Sequence, residues 1–137
     1  MERTCNKPLP QPNADTKPFW DGCREHELRF QKCAECGRVR WPASFLCPTC
    51  HSQETSWITA KGRGKIYSHV VYHRAYHPGF EEDVPYVVAL VELDEGPRML
   101  TNIIGCRKEA VQCDMPVEVE WEDMEENISL PKFRPVT

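Results

Sequence analysis

From residue 59 onward, apolar and polar positions of the chain follow the two-residue period of β-strands. Residues 116–122 alternate strictly, which places Val117, Val119 and Trp121 on an inward face and three glutamates on the outward face. Further strand-like stretches, rich in β-branched and aromatic side chains, lie at 64–72, 98–104 and 128–133. This part of the chain is therefore predicted to be β throughout.

The stretch 85–93 differs from its neighbours because it is apolar almost throughout. Such a run is typical of a central strand that is covered on both faces. Residues 94–97, Asp-Glu-Gly-Pro, predict the turn that follows it, and residues 107–111 predict one or two helical turns. Short strands and one small helix within residues 59–137 favour a five-stranded closed barrel of the OB type, which also removes most exposed sheet edges.

Two more segments precede the barrel in this mainly β fold. Residues 28–58 carry short alternating runs around paired cysteines, which indicates a small ribbon. Residues 1–27 are expected to form an extended, proline-rich arm followed by a short helix. Because some thirty residues bury little apolar surface, we expect a metal to supply much of the folding free energy of the ribbon, with a core separate from that of the barrel.

Thr16 is predicted to cap the short helix, with Pro18 in its first turn. Phe19, Trp20 and Cys23 then share one face. This face either packs on the chain's own domain or offers Phe19 and Trp20 to another subunit. The pattern alone leaves both interpretations open.

Four cysteines within the ribbon form two Cys-x-x-Cys pairs, at Cys33 and Cys36 and at Cys47 and Cys50. Two such turns can direct four thiolates at one tetrahedral ion, and zinc is the metal that this spacing favours. An iron site of the rubredoxin type is the alternative metal, and two disulfides are the alternative without a metal. Four sulfur ligands leave no open coordination position, so the predicted role of the ion is structural.

Composition and charge narrow the class of protein. No apolar run approaches the length of a transmembrane helix, and the first residues lack the apolar region of a secretory signal. We therefore expect a cytoplasmic protein in which Cys5, Cys23, Cys106 and Cys113 are reduced thiols. The formal net charge is −4, and residues 109–126 hold eight acidic and no basic residues. This acidic surface opposes nucleic-acid binding, which is the main alternative function for a zinc-ribbon and OB protein.

Two groups of cations are candidate binding residues. Lys61, Arg63 and Lys65 alternate with glycines, whose lack of a side chain permits close approach of a ligand. The structural alternative is a bulged, solvated start of a strand. Arg38 and Arg40 flank the ribbon beside Trp41, where they could hold a phosphate next to a stacked adenine or be merely solvated.

The loop at residues 73–80 is the third candidate site. It contains two histidines, an arginine and two aromatic residues, namely His73, Arg74, Tyr76, His77 and Phe80. Exposed aromatic side chains in a loop tend to mark an interface or a ligand groove, whereas the alternative is a lid folded back on the barrel. Neither histidine is paired with an activated nucleophile, so no catalytic residue is predicted. A free-standing enzyme stays open as another class.

Taken in order along residues 17–135, the motifs of this chain resemble one family. It is the acyl-CoA-associated family with an N-terminal rubredoxin-like zinc ribbon and a C-terminal OB-fold, long known as a domain of unknown function. The motifs that carry the resemblance are Phe19-Trp20-Asp21-Gly22, Cys33-x-x-Cys36-Gly37, Pro42, Cys47-Pro48-x-Cys50, Gly62-x-Gly64, Tyr67-Ser68, His73-x-x-Tyr76-His77-Pro78, the run 85–93, and Leu130-Pro131-x-Phe133.

This resemblance implies a non-catalytic accessory subunit of a thiolase-fold enzyme. Partners in the family include thiolases, hydroxymethylglutaryl-CoA synthases and steroid side-chain aldolases, and some members are fused to hydratase-like domains. The implied role is to complete an acyl-CoA enzyme and to help hold the CoA thioester. Within the family, the chain is similar to the small subunit of a thiolase acting on an aromatic acyl-CoA of the benzoylsuccinyl-CoA type.

Overall fold

The structure is a computed structural model that describes residues 10–124 and 128–136. Residues 1–9 of the predicted arm, including Cys5, lie outside the described residues. The described part contains one α-helix and eight β-strands: α1 Lys17–Arg24, β1 Arg29–Cys33, β2 Val39–Arg40, β3 Thr55–Thr59, β4 Arg63–Tyr72, β5 Tyr86–Leu93, β6 Arg98–Ile103, β7 Pro116–Asp123 and β8 Ser129–Pro135.

Helix α1 begins where the sequence predicts, but its cap differs. Thr16 occupies the N-cap position and its side chain makes no capping hydrogen bond. Asn13 organises this turn instead, because its Oδ1 accepts from the backbone N of Asp15 at 2.9 Å and from that of Thr16 at 3.0 Å. The Thr16 hydroxyl accepts from the backbone N of Asn13 at 3.0 Å, so it closes the preceding turn rather than the helix.

The ribbon is a three-stranded antiparallel sheet in the order β2-β1-β3. Gln31 of β1 pairs with Arg40 of β2 and with Trp57 of β3. Strand β3 contains no fully buried residue, whereas β1 buries Phe30, Gln31 and Cys33. The ribbon therefore contacts the rest of the molecule mainly through its central strand.

The remaining strands form a closed barrel in the order β4-β5-β6-β8-β7, which confirms the predicted OB-type architecture. Strands β4 and β7 close it through the pairs Gly64–Val117 and Lys65–Pro116. A register shift in β4 between Ile66 and Ser68 adds one residue to this long strand, as a bulge does where a barrel curves.

The buried apolar residues form one cluster rather than two. Cys23 from the helix and Leu28 and Phe30 from the ribbon end join Ile66, Val91, Val117 and other barrel residues in a single core. The expected separation of a ribbon core from a barrel core is therefore wrong. Helix α1 lies against β1 and β8 and bridges the two sheets, which explains the joint core.

The outward side of β5 is only partly covered by the described residues. Its burial alternates along the strand, with Val87, Ala89, Val91 and Leu93 buried and the intervening residues only partly buried. The apolar run at 85–93 predicts a strand covered on both faces, and that expectation is wrong for the chain taken alone. The second face of this strand is mostly apolar and only half-buried.

Candidate zinc centre and binding surfaces

The two Cys-x-x-Cys turns have the same local geometry. In each turn the backbone N–H of the first cysteine donates to the backbone carbonyl oxygen of the residue five positions later. Cys33 donates to Arg38 and Cys47 donates to Ser52, both at 2.9 Å. The residue after the second cysteine has a positive φ in both, 79° at Gly37 and 64° at His51. These repeated turns aim both thiols of each pair inward.

The four sulfur atoms converge on one point. The Sγ atoms of Cys33, Cys36, Cys47 and Cys50 all lie within 4.8 Å of one another. Two of the separations are 3.5 Å, between Cys33 and Cys50, and 3.6 Å, between Cys36 and Cys47. A tetrahedral zinc ion with Zn–S bonds of about 2.3 Å requires sulfur atoms about 3.8 Å apart, so the donor set fits zinc.

The backbone of each turn favours the thiolate form that a metal requires. The backbone N–H of Cys36 lies 3.4 Å from the Cys33 sulfur and lowers the pKa of that thiol. The backbone N–H of Cys50 lowers the pKa of Cys47 to about 6. Backbone N–H groups supplied by the tight turns are thus the physical cause of both shifts.

The glycines at the start of β4 serve barrel closure. Gly62 has a φ of 77°, and a Cβ there would lie 2.5 Å from Cγ1 of Val119. A Cβ on Gly64 would lie 2.3 Å from the carbonyl oxygen of Glu92. Lys61, Arg63 and Lys65 are exposed, and Arg63 lies 3.9 Å from Glu118. The geometry matches the strand-start alternative, and a ligand role for the three cations stays a prediction.

Arg38, Arg40 and Trp41 do lie together. They line one groove between the ribbon and the β5–β6 turn, with a volume of about 500 Å³. Arg38 is exposed at the groove and its Nη1 donates to the Thr49 hydroxyl at 2.6 Å. Arg40 is only 5% exposed, which contradicts the solvated alternative for this side chain.

The loop at 73–80 forms an aromatic cluster at one end of the barrel. The rings of Tyr72 and Tyr86 stack at 5.3 Å, and Phe80 packs against Tyr86 at 5.8 Å. His77 caps a short 3-10 turn, since its Nδ1 accepts from the backbone N of Gly79 at 2.9 Å. Phe80 thus folds back as the lid interpretation expects, whereas Tyr76 is 76% exposed.

Two further polar side chains of this loop, Arg74 and His73, lie beside the exposed Tyr76. The Arg74 guanidinium lies 5.4 Å from the Tyr76 ring centroid. His73 and Arg74 are both exposed and line a shallow depression with Tyr72 and Tyr76. The structure therefore presents a cationic and aromatic tip, and its role in binding stays a prediction.

Phe19 and Trp20 have different environments. Phe19 is buried in the shared core, so it packs on its own chain. Trp20 is half-buried and lines an apolar groove of about 340 Å³, together with Trp41, Met99, Leu100 and Pro131. Of the two predicted partner-binding residues, Trp20 is the one that remains accessible.

Sequence reasoning missed one surface, the side of β4, β5 and β6 that points away from the barrel interior. It is termed the outer face below. Its apolar members are Tyr67, Val70, Tyr72, Val88, Leu90 and Leu100. Val70 and Leu100 are 54% and 55% exposed. Leu100 also lines the groove of Trp20, so the outer face and that groove are continuous. The apolar run of β5 was the signal that could have found it.

Comparison with known proteins gives the class to which this architecture belongs. Residues 20–56 match the rubredoxin-like zinc ribbon domain of ChsH2, and residues 57–122 match its C-terminal OB-fold domain. A DUF35 domain-containing scaffold protein of Methanocaldococcus jannaschii is 37% identical over 70% of this chain and 68% of its own length. The chain belongs to this DUF35 family of zinc-ribbon and OB-fold proteins.

Several relatives are enzyme subunits. A probable enoyl-CoA hydratase alpha subunit of Thermomonospora curvata is 39% identical over 94% of this chain, but the chain spans only 40% of that subunit. A benzoylsuccinyl-CoA thiolase subunit BbsA of Geobacter metallireducens is 28% identical over 67% of this chain and 60% of its own length. The solved Ltp2-ChsH2(DUF35) aldolase has a similar chain, with 38% identity, a TM-score of 0.84 and coverage of 93% of this chain and 99% of that one.

These comparisons confirm two of the expectations. The ribbon family and the sulfur geometry together fit a structural zinc ion. The family is one of accessory subunits associated with acyl-CoA enzymes. Among residues 10–124 and 128–136, no helix has the length and apolar character that crossing a bilayer requires.

Proposed function

We propose that this chain is a non-catalytic accessory subunit of a thiolase-fold acyl-CoA enzyme in the cytoplasm. In this role it docks on the enzyme subunit, completes the active-site entrance and helps to hold the CoA thioester. The observation that carries the proposal is the outer face, an apolar surface that the described chain leaves open. The narrower form is a thiolase acting on an aromatic acyl-CoA, which the similarity to BbsA supports.

The outer face has the chemistry of a buried protein–protein interface. Leu90 pairs with Leu100, and Val88 pairs with Val70, so four aliphatic side chains lie side by side across three strands. At its edge the Arg98 guanidinium stacks on Tyr67 at 3.8 Å and lies 3.4 Å from Glu92. An apolar centre with a charged rim is the usual anatomy of a protein interface.

The loop at 73–80 extends this surface at one end. Tyr72 belongs to the outer face and contacts Tyr76 with a ring separation of 6.1 Å. In the proposed complex, Tyr76 and Arg74 reach the entrance of the partner's active site, since loops on rigid scaffolds commonly carry binding groups. Chemistry at the zinc is not part of the proposal, because four thiolates leave no position for substrate.

Assembly with the enzyme subunit tests the proposal directly. The chain is co-expressed with the thiolase-fold subunit from its own source, and the complex is captured and measured by size-exclusion chromatography and acyl-CoA turnover. Leu100→Asp should weaken assembly at least tenfold, about 1.4 kcal/mol, because it places a charge in the apolar centre of the interface. Phe45→Asp is the matched control, since Phe45 is 65% exposed but lies in the ribbon loop.

Assembly that survives Leu100→Asp unchanged would contradict the outer face as the docking surface. Full turnover by the partner without this chain would contradict the accessory role. Turnover by this chain alone, with zinc bound, would instead establish a free-standing enzyme. These three outcomes are separable because assembly and turnover are measured on the same samples.

A hydratase subunit is the second candidate partner. The 39% identity to a probable enoyl-CoA hydratase alpha subunit favours it, because that match covers nearly the whole of this chain. An aldolase partner is favoured in the same way by the likeness to the Ltp2-ChsH2(DUF35) aldolase. Identification by mass spectrometry of the companion captured from the native source decides among the three.

A further inference from the structure

The two cysteines of each Cys-x-x-Cys turn differ in their exposure. The first members, Cys33 and Cys47, are fully buried, whereas the second members, Cys36 and Cys50, are exposed. Thiolate character and exposure together govern the oxidation of cysteine, and a sulfur bound to zinc is a thiolate. The zinc centre therefore exposes two of its four sulfur atoms to small oxidants in the solvent.

Each exposed sulfur has a buried sulfur of the other turn beside it. Sγ of Cys36 lies 3.6 Å from that of Cys47, and Sγ of Cys50 lies 3.5 Å from that of Cys33. A cysteine that is oxidised at the surface thus lies next to a second sulfur that can attack it. An oxidisable cysteine beside a resolving cysteine is the arrangement that redox-sensing thiols use.

The segment between the two turns is anchored by the metal site at both ends. It carries Trp41, Pro42 and Ala43, which form one wall of the groove of Trp20. Behind this wall, the backbone N–H of Ser44 donates to Oε1 of the buried Gln31 of β1 at 2.8 Å. The position of the wall therefore depends on the fold of the ribbon, which in turn depends on the metal.

We propose that the zinc centre is a peroxide-sensitive switch, in which oxidation of the exposed sulfurs releases the ion and displaces the wall at residues 41–43. The Cys36 thiolate attacks hydrogen peroxide, the O–O bond breaks, and uptake of one proton leaves a sulfenic acid and one water. The Cys47 thiolate then attacks the Cys36 sulfur and displaces hydroxide, which takes up a second proton, so a disulfide and a second water result. Cys50 and Cys33 react with a second peroxide in the same way, and the zinc ion leaves.

These steps alter the ribbon because a disulfide and an ion hold sulfur differently. The ion keeps four sulfurs apart around one centre, whereas each disulfide joins only two of them directly. The two turns therefore shift relative to each other when the ion leaves. Leu100 connects the groove of Trp20 with the outer face, so a displaced wall alters the surface proposed for docking. This last consequence rests on the proposed function.

Trapping of the first oxidation product tests which sulfurs react. The full zinc-bound chain is treated with hydrogen peroxide in the presence of dimedone, which labels sulfenic acids, and the labelled peptides are identified by mass spectrometry. Within the ribbon, the label on Cys36 and Cys50 should exceed that on Cys33 and Cys47 at least tenfold. A label mainly on the two buried cysteines, or none in the ribbon, would overturn the proposal.

Zinc release, followed with a chromogenic chelator, is the second measurement. The wild-type chain should release about one zinc per chain, and a thiol reductant with added zinc should restore binding. Cys36→His combined with Cys50→His keeps four donors for zinc but removes both exposed sulfurs, so release should be at least tenfold slower. Cys106→Ser combined with Cys113→Ser is the matched control, because these exposed cysteines lie outside the cluster, and it should release zinc at the wild-type rate.

Each remaining outcome decides one part of the proposal. Retention of zinc by the wild type in peroxide, or equal rates in the histidine variant, would overturn the switch, and the dimedone map decides where that variant binds no zinc. The wall is followed by the Trp41 fluorescence, taken as the difference between wild type and Trp41→Phe, and an unchanged difference after oxidation would overturn its displacement. Assembly of the reduced chain with the enzyme subunit is scored separately, so the switch can fail while the accessory role stands.

Discussion

The ribbon and the barrel of this chain are both antiparallel β structures, yet they are held together differently. Strand β3 of the ribbon has no fully buried side chain, and the ribbon is cross-linked by the metal that its four cysteines bind. Strand β5 of the barrel buries four side chains along its inner face, with Val91 wholly inaccessible. One sheet is organised by a bound ion, and the other by removal of apolar surface from water.

The comparison also shows that the two units are not energetically independent. Leu28 and Phe30, at 2% and 1% exposure, lie at the ribbon end of the core that contains Ile66 and Phe133 of the barrel. Metal binding orders the ribbon, and the ribbon holds these side chains in place. Loss of the ion should therefore be transmitted to the barrel through the shared core.

The largest expected effect is that of removing the zinc. Cys47→Ser should abolish stoichiometric zinc binding and unfold the ribbon, because structural zinc contributes about 10–16 kcal/mol of folding free energy in small zinc-finger domains. The barrel transition should shift in the same experiment, to lower temperature by more than about 4 °C, because Phe30 loses its support. Elemental analysis and thermal unfolding followed by far-UV circular dichroism are the measurements.

Cys113→Ser provides the control, since Cys113 is exposed and outside the cysteine cluster, and it should retain about one zinc per chain. A barrel that melts at the wild-type temperature in zinc-free Cys47→Ser protein would show that the two units are independent after all.

Much of this architecture was predictable from sequence because its determinants are local. The spacing of Cys33, Cys36, Cys47 and Cys50 predicts the metal site, and short-range turn geometry suffices to bring each pair together. The strict alternation at 116–122 likewise predicts β7, and the three residues predicted to point inward, Val117, Val119 and Trp121, do pack in or against the core.

Features that depend on distant neighbours were not predictable. The burial of Arg40 depends on where the β5–β6 turn lies, and the sequence does not show that Arg40 and Glu95 line the same groove. The two aromatic side chains of the loop differ in burial. Phe80 packs against Tyr86, whereas Tyr76 is 76% exposed. The outer side of β5 is only half-buried in the chain by itself, and its role follows from the proposed docking rather than from any pattern within the sequence.

A pair of glycine substitutions sharpens the contrast at a smaller scale. Gly62→Ala should destabilise the chain by about 2 kcal/mol or more, because a left-handed backbone and a contact at 2.5 Å with Val119 both oppose the added methyl group. Gly37→Ala should cost no more than about 1 kcal/mol, since it has a similar φ of 79° but nothing within 4 Å of the new Cβ.

His51 shows that a side chain is accepted at the equivalent position of the second cysteine turn. The measurement is the free energy of unfolding in urea with zinc present in excess. Equal losses in the two variants would mean that backbone conformation, and not packing against Val119, decides the cost in the barrel.

The smallest expected effect is that of the buried Cys23 thiol on the pH dependence of stability, and its environment is opposite to that of Cys47. Backbone N–H groups lower the pKa of Cys47 in the ribbon, whereas burial raises the pKa of Cys23 in the core from 9.0 to about 12. The folded state therefore keeps the Cys23 proton at a pH at which the unfolded chain loses it. Stability from this group is complete below pH 9 and falls as the pH rises towards 12, by at most about 1.4 kcal/mol per pH unit.

Comparison of wild type with Cys23→Ala isolates this contribution, because other groups that titrate at alkaline pH are common to both proteins. At pH 8 the variant should be less stable by about 1 kcal/mol, the cost of a small cavity in the core. That difference should shrink above pH 9 and change sign before pH 10.5, since only the wild type loses stability through Cys23 and at about 1.4 kcal/mol per pH unit the loss exceeds about 1 kcal/mol. Urea unfolding at each pH, with zinc and a reductant present, gives the two curves. A difference that stays constant over this range would mean that the Cys23 thiol titrates in the folded core as it does in water.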